Sequence, residues 1–167
     1  MTSYSLKHAG RAAACACLAS SLATLAAPAS AALGDIVAVR TPTSVASAAS
    51  GTNTTQTLLG GAVQVTQSVD AGGTRLREYT ATASGKVFAY TWQGPSAPNL
   101  DTLLGRYADD YQRGTVALHV SGRDGLHAAR VDTPSVIVES GGLMRSYVGR
   151  AWLPGALPAG MTEGDLR

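Results

Sequence analysis

Acid–base, nucleophilic or metal chemistry needs imidazoles, carboxylates or thiolates gathered in one place, and this chain offers few. His119 and His127 stand either side of Asp124, a grouping that could hold a metal or supply the base of a hydrolase. The two histidines do not have the helical spacing of a metal pair, HExxH is absent, and no GxSxG elbow supplies a nucleophile. The plainer reading makes His119 an ordinary strand residue and sets His127 in or beside a loop. Glu78, Asp101, Asp109, Asp110 and Glu139 could provide the carboxylate pair of a glycoside hydrolase, which needs two carboxyl groups at a fixed separation. Asp109 and Asp110 read more simply as a solvated helix face.

Binding surfaces are the other possibility. Phe88, Tyr90 and Trp92 alternate along one predicted strand and so share a face. Such an aromatic row is a possible ligand surface, because it can stack on sugars or bases. It can equally form the core beneath a docked helix, and the need of such a helix for an apolar sheet face favours the core. Arg145 and Arg150 are five apart, so a regular strand sends them to opposite faces and they make no joint anion clamp. Gly72-Gly73 and Gly141-Gly142 read as turns, and neither begins a phosphate loop. No cofactor is implied.

The elements that would position these residues follow from periodicity. Residues 62–69, 74–82 and 86–92 read as strands, with Arg75, Arg77 and Tyr79 on one face of the second. The third is largely apolar on both faces, as a central strand would be. After Gly94-Pro95, Asn99 is an N-cap and Leu100, Leu103, Leu104, Tyr107 and Tyr111 make one helical stripe. Arg106 falls on the solvated side, and Gly114 is the expected C-terminal stop. Residues 115–120, 126–131, 135–140 and 143–153 read as further strands, with Gly141-Gly142 as a hairpin turn before the last. The expectation is a single α+β domain: an antiparallel sheet of about six to seven short strands packed against one main amphipathic helix.

The first 31 residues read as an export signal rather than as fold. Lys7, His8 and Arg11 precede an uncharged apolar run over 12–27, and Pro28 and Ala29-Ser30-Ala31 give a small-x-small cleavage pattern before Ala32. The run is too short for a spanning helix, which needs about 20 apolar residues, so no transmembrane segment is expected in the mature chain. Residues 32–61 form an N-terminal segment with a flexible Thr/Ser/Ala-rich linker over 41–57, residues 62–160 the α+β domain, and 161–167 a tail. Cys15 and Cys17 leave with the signal, so the mature chain is cysteine-free and makes no disulfide or thiolate site. Lys7 and Arg11 leave too, while all 11 acidic residues stay, so the charge falls from +2 to about zero. That balance gives no basic excess for nucleic acid. Lys86 is the one lysine remaining after the cut.

The order of landmarks resembles a family of exported Gram-negative bacterial proteins known as domain of unknown function 2844. The resemblance rests on Ala32-Leu33-Gly34, Arg77-Glu78-Tyr79, Val87-Phe88-Ala89, Trp92-Gln93-Gly94-Pro95 and Asp101 with Leu104-Gly105. It continues through Ser140-Gly141-Gly142, Met144-Arg145, Gly149-Arg150-Ala151-Trp152 and Leu157-Pro158-Ala159-Gly160. It covers the mature chain apart from the linker, and it implies export and a single domain but no activity, ligand or catalytic residue. The sequence favours a non-enzymatic envelope or binding protein in the periplasm or outside the cell, its partner another envelope protein or a glycan. The alternative is a small secreted hydrolase using carboxylates or His119.

Overall fold

In a computed structural model, residues 31–37, 53–123, 125 and 128–167 are described. Residues 1–30 of the expected signal and 41–52 of the expected linker lie outside them. Seven antiparallel strands form one sheet, in the order β1-β2-β3-β4-β7-β6-β5. They are β1 (Thr54–Leu58), β2 (Val63–Val69), β3 (Arg75–Ala81), β4 (Lys86–Gly94), β5 (Ala128–Asp132), β6 (Ile137–Leu143) and β7 (Ser146–Trp152). The first four make a meander. The chain then crosses one face of the sheet as a helical run, enters the far edge at β5, and returns to pair β7 with β4. The expected α+β sheet with one main helix is what the chain forms.

The helical run is α1 (Leu100–Leu104), a 3-10 turn at Gly105–Tyr107 and α2 (Ala108–Val120). Asn99 caps it by accepting from the Thr102 amide at 3.0 Å, which satisfies one of the amides a helix start leaves open. Leu103 and Leu104 are buried, and Leu100, Tyr107 and Tyr111 pack against the same core as Leu76, Val87, Tyr90, Trp92, Val136 and Val138. Gly114 does not stop the helix. A Cβ there would stand 2.4 Å from Val131 Cγ1, so glycine is where α2 and β5 come closest. The helix runs on through 115–120, where a strand is expected from the sequence. Val116 and Val120 are exposed, so no sheet packing competes with the helical hydrogen bonds.

Three other expectations change. Residues 54–57, read as linker, belong to β1, an exposed edge strand whose threonines suit extended backbone. Gly141-Gly142 lies inside β6, and the turn is Met144-Arg145, both at positive φ, which fits the primed two-residue hairpins. Strand glycines make room for rings here: a Cβ on Gly149 would sit 2.2 Å from Trp92 Cζ2. Finally, the β3–β4 register shifts between Tyr79 and Thr80, where Ala89 and Val87 are their partners and Phe88 is passed over. That bulge breaks the alternation. Tyr90 and Trp92 face the helices, while Phe88 and Ala89 join the opposite core with Val63, Val65, Tyr79, Ile137 and Trp152.

Candidate functional site

The sheet face turned away from the helices is organised in rows, because directly paired residues on antiparallel strands share a face. One row runs Tyr79, Ala89, Trp152 and Ile137 across β3, β4, β7 and β6. It is apolar, and Met161 and Leu166 from the C-terminal segment pack against it. Two residues along each strand, the next row runs Arg77, Thr91, Arg150, Glu139 and Arg130, reaching β5. The third row is Arg75, Gln93, Val148, Gly141 and Ala128. Residues of these two polar rows line an open groove of about 540 Å³, together with Leu166 and Arg167.

Charge in the groove is unequal. Arg75, Arg77, Arg150 and Arg167 line it, against one carboxylate among the lining residues, Glu139. Glu139 is already engaged: Arg150 Nε donates to Oε2 at 2.6 Å and Arg130 Nη1 donates to Oε1 at 2.5 Å. Both guanidinium groups also lie over the Trp152 ring, at 5.1 Å for Arg150 and 5.5 Å for Arg130. Burial by itself would raise the Glu139 pKa, but the hydrogen bonds from Arg150 and Arg130 outweigh it and hold the carboxyl below the usual range. With Glu139 paired, the other charged side chains of the groove are Arg75, Arg77 and Arg167.

That side already holds an oxygen. Tyr79 Oη donates to the Arg167 main-chain oxygen at 2.8 Å, and Arg77 donates to the same atom. Arg77 Nε also donates to Gln67 Oε1 at 3.3 Å, which fixes the plane of its guanidinium. A guanidinium fork is suited to the planar oxygens of carboxylate or phosphate.

The other residues singled out from the sequence do not converge. Phe88, Tyr90 and Trp92 are buried, at 0%, 2% and 3% exposure, and the bulge puts Phe88 on the opposite face. Of the three, only Trp92 lines the groove. His119 is on exposed α2 rather than in a strand. Asp124 and His127 lie outside the described residues. Glu78 pairs with Tyr90 on the helix side, and Glu139 lies in the groove on the other, so they cannot face one substrate. Asp101 and Asp109 are exposed, and the Asp110 carboxylate accepts from Ser135 and Arg113. Those two hydrogen bonds, Ser135 first, lower the Asp110 pKa. Among the described residues, no group of three or more His, Cys, Asp or Glu could hold a metal, and no helix is long and apolar enough to cross a membrane.

Arg145 and Arg150 separate for another reason than strand parity: β7 begins at Ser146, which leaves Arg145 in the turn at positive φ, while Arg150 lines the groove. The arginine row itself is not visible from either residue alone. Arg75 and Arg77 share a face in the sequence, but Arg150 joins them only because β7 returns to pair with β4.

Residues 29–166 match the family described as protein of unknown function (DUF2844). The chain belongs to this family. No curated protein and no solved structure matches it. The family match takes in all seven strands, the helical run and every groove residue except Arg167.

Proposed function

We propose that this DUF2844 protein is an exported, non-enzymatic binding protein. Its groove takes a small ligand that carries carboxylate or phosphate on an apolar or sugar body. The observation that carries this reading is the arginine pair Arg75 and Arg77 beside Arg150, on the open half of a rigid sheet face. Three features support binding over turnover. The one carboxylate among the lining residues is held between two guanidinium groups. A base in that state is a poor proton acceptor. The remaining polar groups include donors suited to anion oxygens, and Val148 and Leu166 offer apolar contact to the rest of a ligand. Read as an export signal, residues 1–31 would bring the groove to the periplasm or outside the cell, where acidic glycans and phosphate-bearing head groups offer that chemistry.

The reading is tested by following backbone amide shifts of the folded protein while adding trigalacturonate or butyl phosphate. Shifts should move along residues 75–77, 91–93 and 148–150, and a neutral trisaccharide should leave them in place. Shifts confined to other surfaces, or equal responses to the neutral sugar, would remove the assignment.

A further inference from the structure

A second polar site lies on the helix side of the sheet, around the residues where export processing is expected. The segment 32–37 is docked by its backbone. The Leu33 amide donates to Leu103 O at 2.7 Å, Gly34 to Val87 O at 2.8 Å and Val37 to Gly85 O at 2.8 Å. Leu33 is fully buried in the helix-side core. Two glycines admit the segment: a Cβ on Gly105 would stand 2.6 Å from Ala32 Cβ, and one on Gly34 would stand 2.8 Å from the Tyr107 ring. Residues 33–37 are therefore held in place against β4, the turn before it and the helical run.

Oxygen acceptors surround the Ala31–Ala32 peptide. The Ala32 nitrogen donates to Asp35 Oδ2 at 3.0 Å. The other Asp35 oxygen, Oδ1, faces Arg106 Nη2 at 3.6 Å, and Arg106 also donates to Gly34 O at 3.1 Å. The Ala31 carbonyl accepts from Tyr90 Oη, which lies 2.7 Å from Glu78 Oε2. A tyrosine has one hydroxyl hydrogen and cannot donate to both. With Tyr90 giving its hydrogen to the Ala31 oxygen, the contact with Glu78 is a hydrogen bond only when the Glu78 carboxyl carries a proton and donates it. Burial, which outweighs its bonds to Tyr90 and Thr80, raises the Glu78 pKa in that sense.

We infer that Asp35, Glu78 and Tyr90 form the receiving site for the α-ammonium of Ala32, created when the chain is cut after Ala31. Hydrolysis breaks the Ala31–Ala32 C–N bond. Water gives its oxygen to the Ala31 carbonyl carbon, leaving a carboxylate that departs, and its two hydrogens bring the Ala32 nitrogen to an ammonium. The Ala31 oxygen no longer occupies Tyr90, so Tyr90 turns its hydroxyl hydrogen to Glu78, and Glu78 gives up its proton to solvent and becomes a carboxylate. The ammonium keeps Asp35 Oδ2 and gains two further donors towards the space the Ala31 carbonyl left. Facing the site are Asp35 on the segment itself, Glu78 from β3, Tyr90 from β4, and Arg106 and Tyr107 from the helical run. Two carboxylates against the single charge of Arg106 leave room for one more cation, and the cut supplies it.

The test uses the exported protein, purified without a tag at its N-terminus. Its intact mass should place the first residue at Ala32. An amine-reactive anhydride then has two targets, Ala32 and Lys86, so Lys86 serves as the internal reference. A free α-amine titrates near 7.7–8.0. In the site it should titrate higher, and at pH 7 each unit of rise makes labelling about tenfold slower than in the peptide Ala-Leu-Gly. Asp35→Asn and Glu78→Gln should each move the profile back towards the peptide. If Glu78→Gln does not fold, Asp35→Asn, at a half-exposed carboxylate, carries the comparison. A first residue other than Ala32 overturns the inference, and so does peptide-like labelling of folded wild type. Folded variants that label as slowly as wild type do so too, because burial alone would then explain the protection.

Discussion

Glu139 is the most informative single residue in the groove. Its folded pKa lies below its unfolded value, because Arg150 and Arg130 prefer the ionised form. The stabilisation is therefore complete above the unfolded value of about 4.3 and is lost as the pH falls through the folded one. Glu139→Gln should flatten the acid arm of a stability–pH curve below about pH 4.3, and denaturant melts at pH 3 and pH 6 check this. An unchanged difference between the two melts would mean that the pairing contributes nothing. Arg150→Ala removes the bond to Glu139 and the contact over Trp152, and should cost about 1–3 kcal/mol, the scale of a hydrogen bond to a charged partner. Arg106 lies on the solvated helix face, as its spacing predicts, with its side chain 63% exposed, and it also reaches back 72 residues to Gly34 O. Long-range main-chain acceptors leave no mark on a helical wheel.

At the scale of elements, Leu104 is fully buried on the helical stripe, whereas Val116 on the same run is 63% exposed. Leu104→Ala should cost about 2–5 kcal/mol and Val116→Ala less than about 0.5 kcal/mol. Equal losses in denaturant melts would mean that the run docks by another face. Gly149→Ala should also destabilise, by about 1–3 kcal/mol or more, since its Cβ would meet the Trp92 ring and the Glu139 backbone oxygen at 2.2 and 2.5 Å. These elements also mark what the sequence could disclose. The stripe from Leu100 to Tyr111, the Asn99 cap and the alternation in β2 and β3 were legible because each is a local pattern. The continuation of α2 through 115–120 was not, because Gly114 signals a stop locally and a close approach to Val131 only in three dimensions. The aromatic row failed for the same reason: a one-residue bulge at Phe88 reverses the parity of everything before it. The groove needed strand order as well, since Arg77, Thr91 and Arg150 meet through pairings of β4 with both β3 and β7.

For the whole molecule, one sheet separates two chemically different sides. On one, the helical run and the segment from Ala32 seal a core and gather Asp35, Glu78 and Tyr90 around the expected new N-terminus. On the other, the C-terminal segment covers the apolar row and leaves the arginine rows open. Seven paired strands fix the backbone positions of those arginines, and a ligand oxygen at Arg77 takes the place of the Arg167 main-chain oxygen. The most direct measurement of this account is calorimetric titration of trigalacturonate into wild type, the Arg75→Ala/Arg77→Ala double variant, and Arg113→Ala on exposed α2. The account predicts binding by wild type and Arg113→Ala that weakens as salt is raised, and at least a tenfold loss in the double variant, about 1.4 kcal/mol. Equal affinity in all three proteins would contradict it.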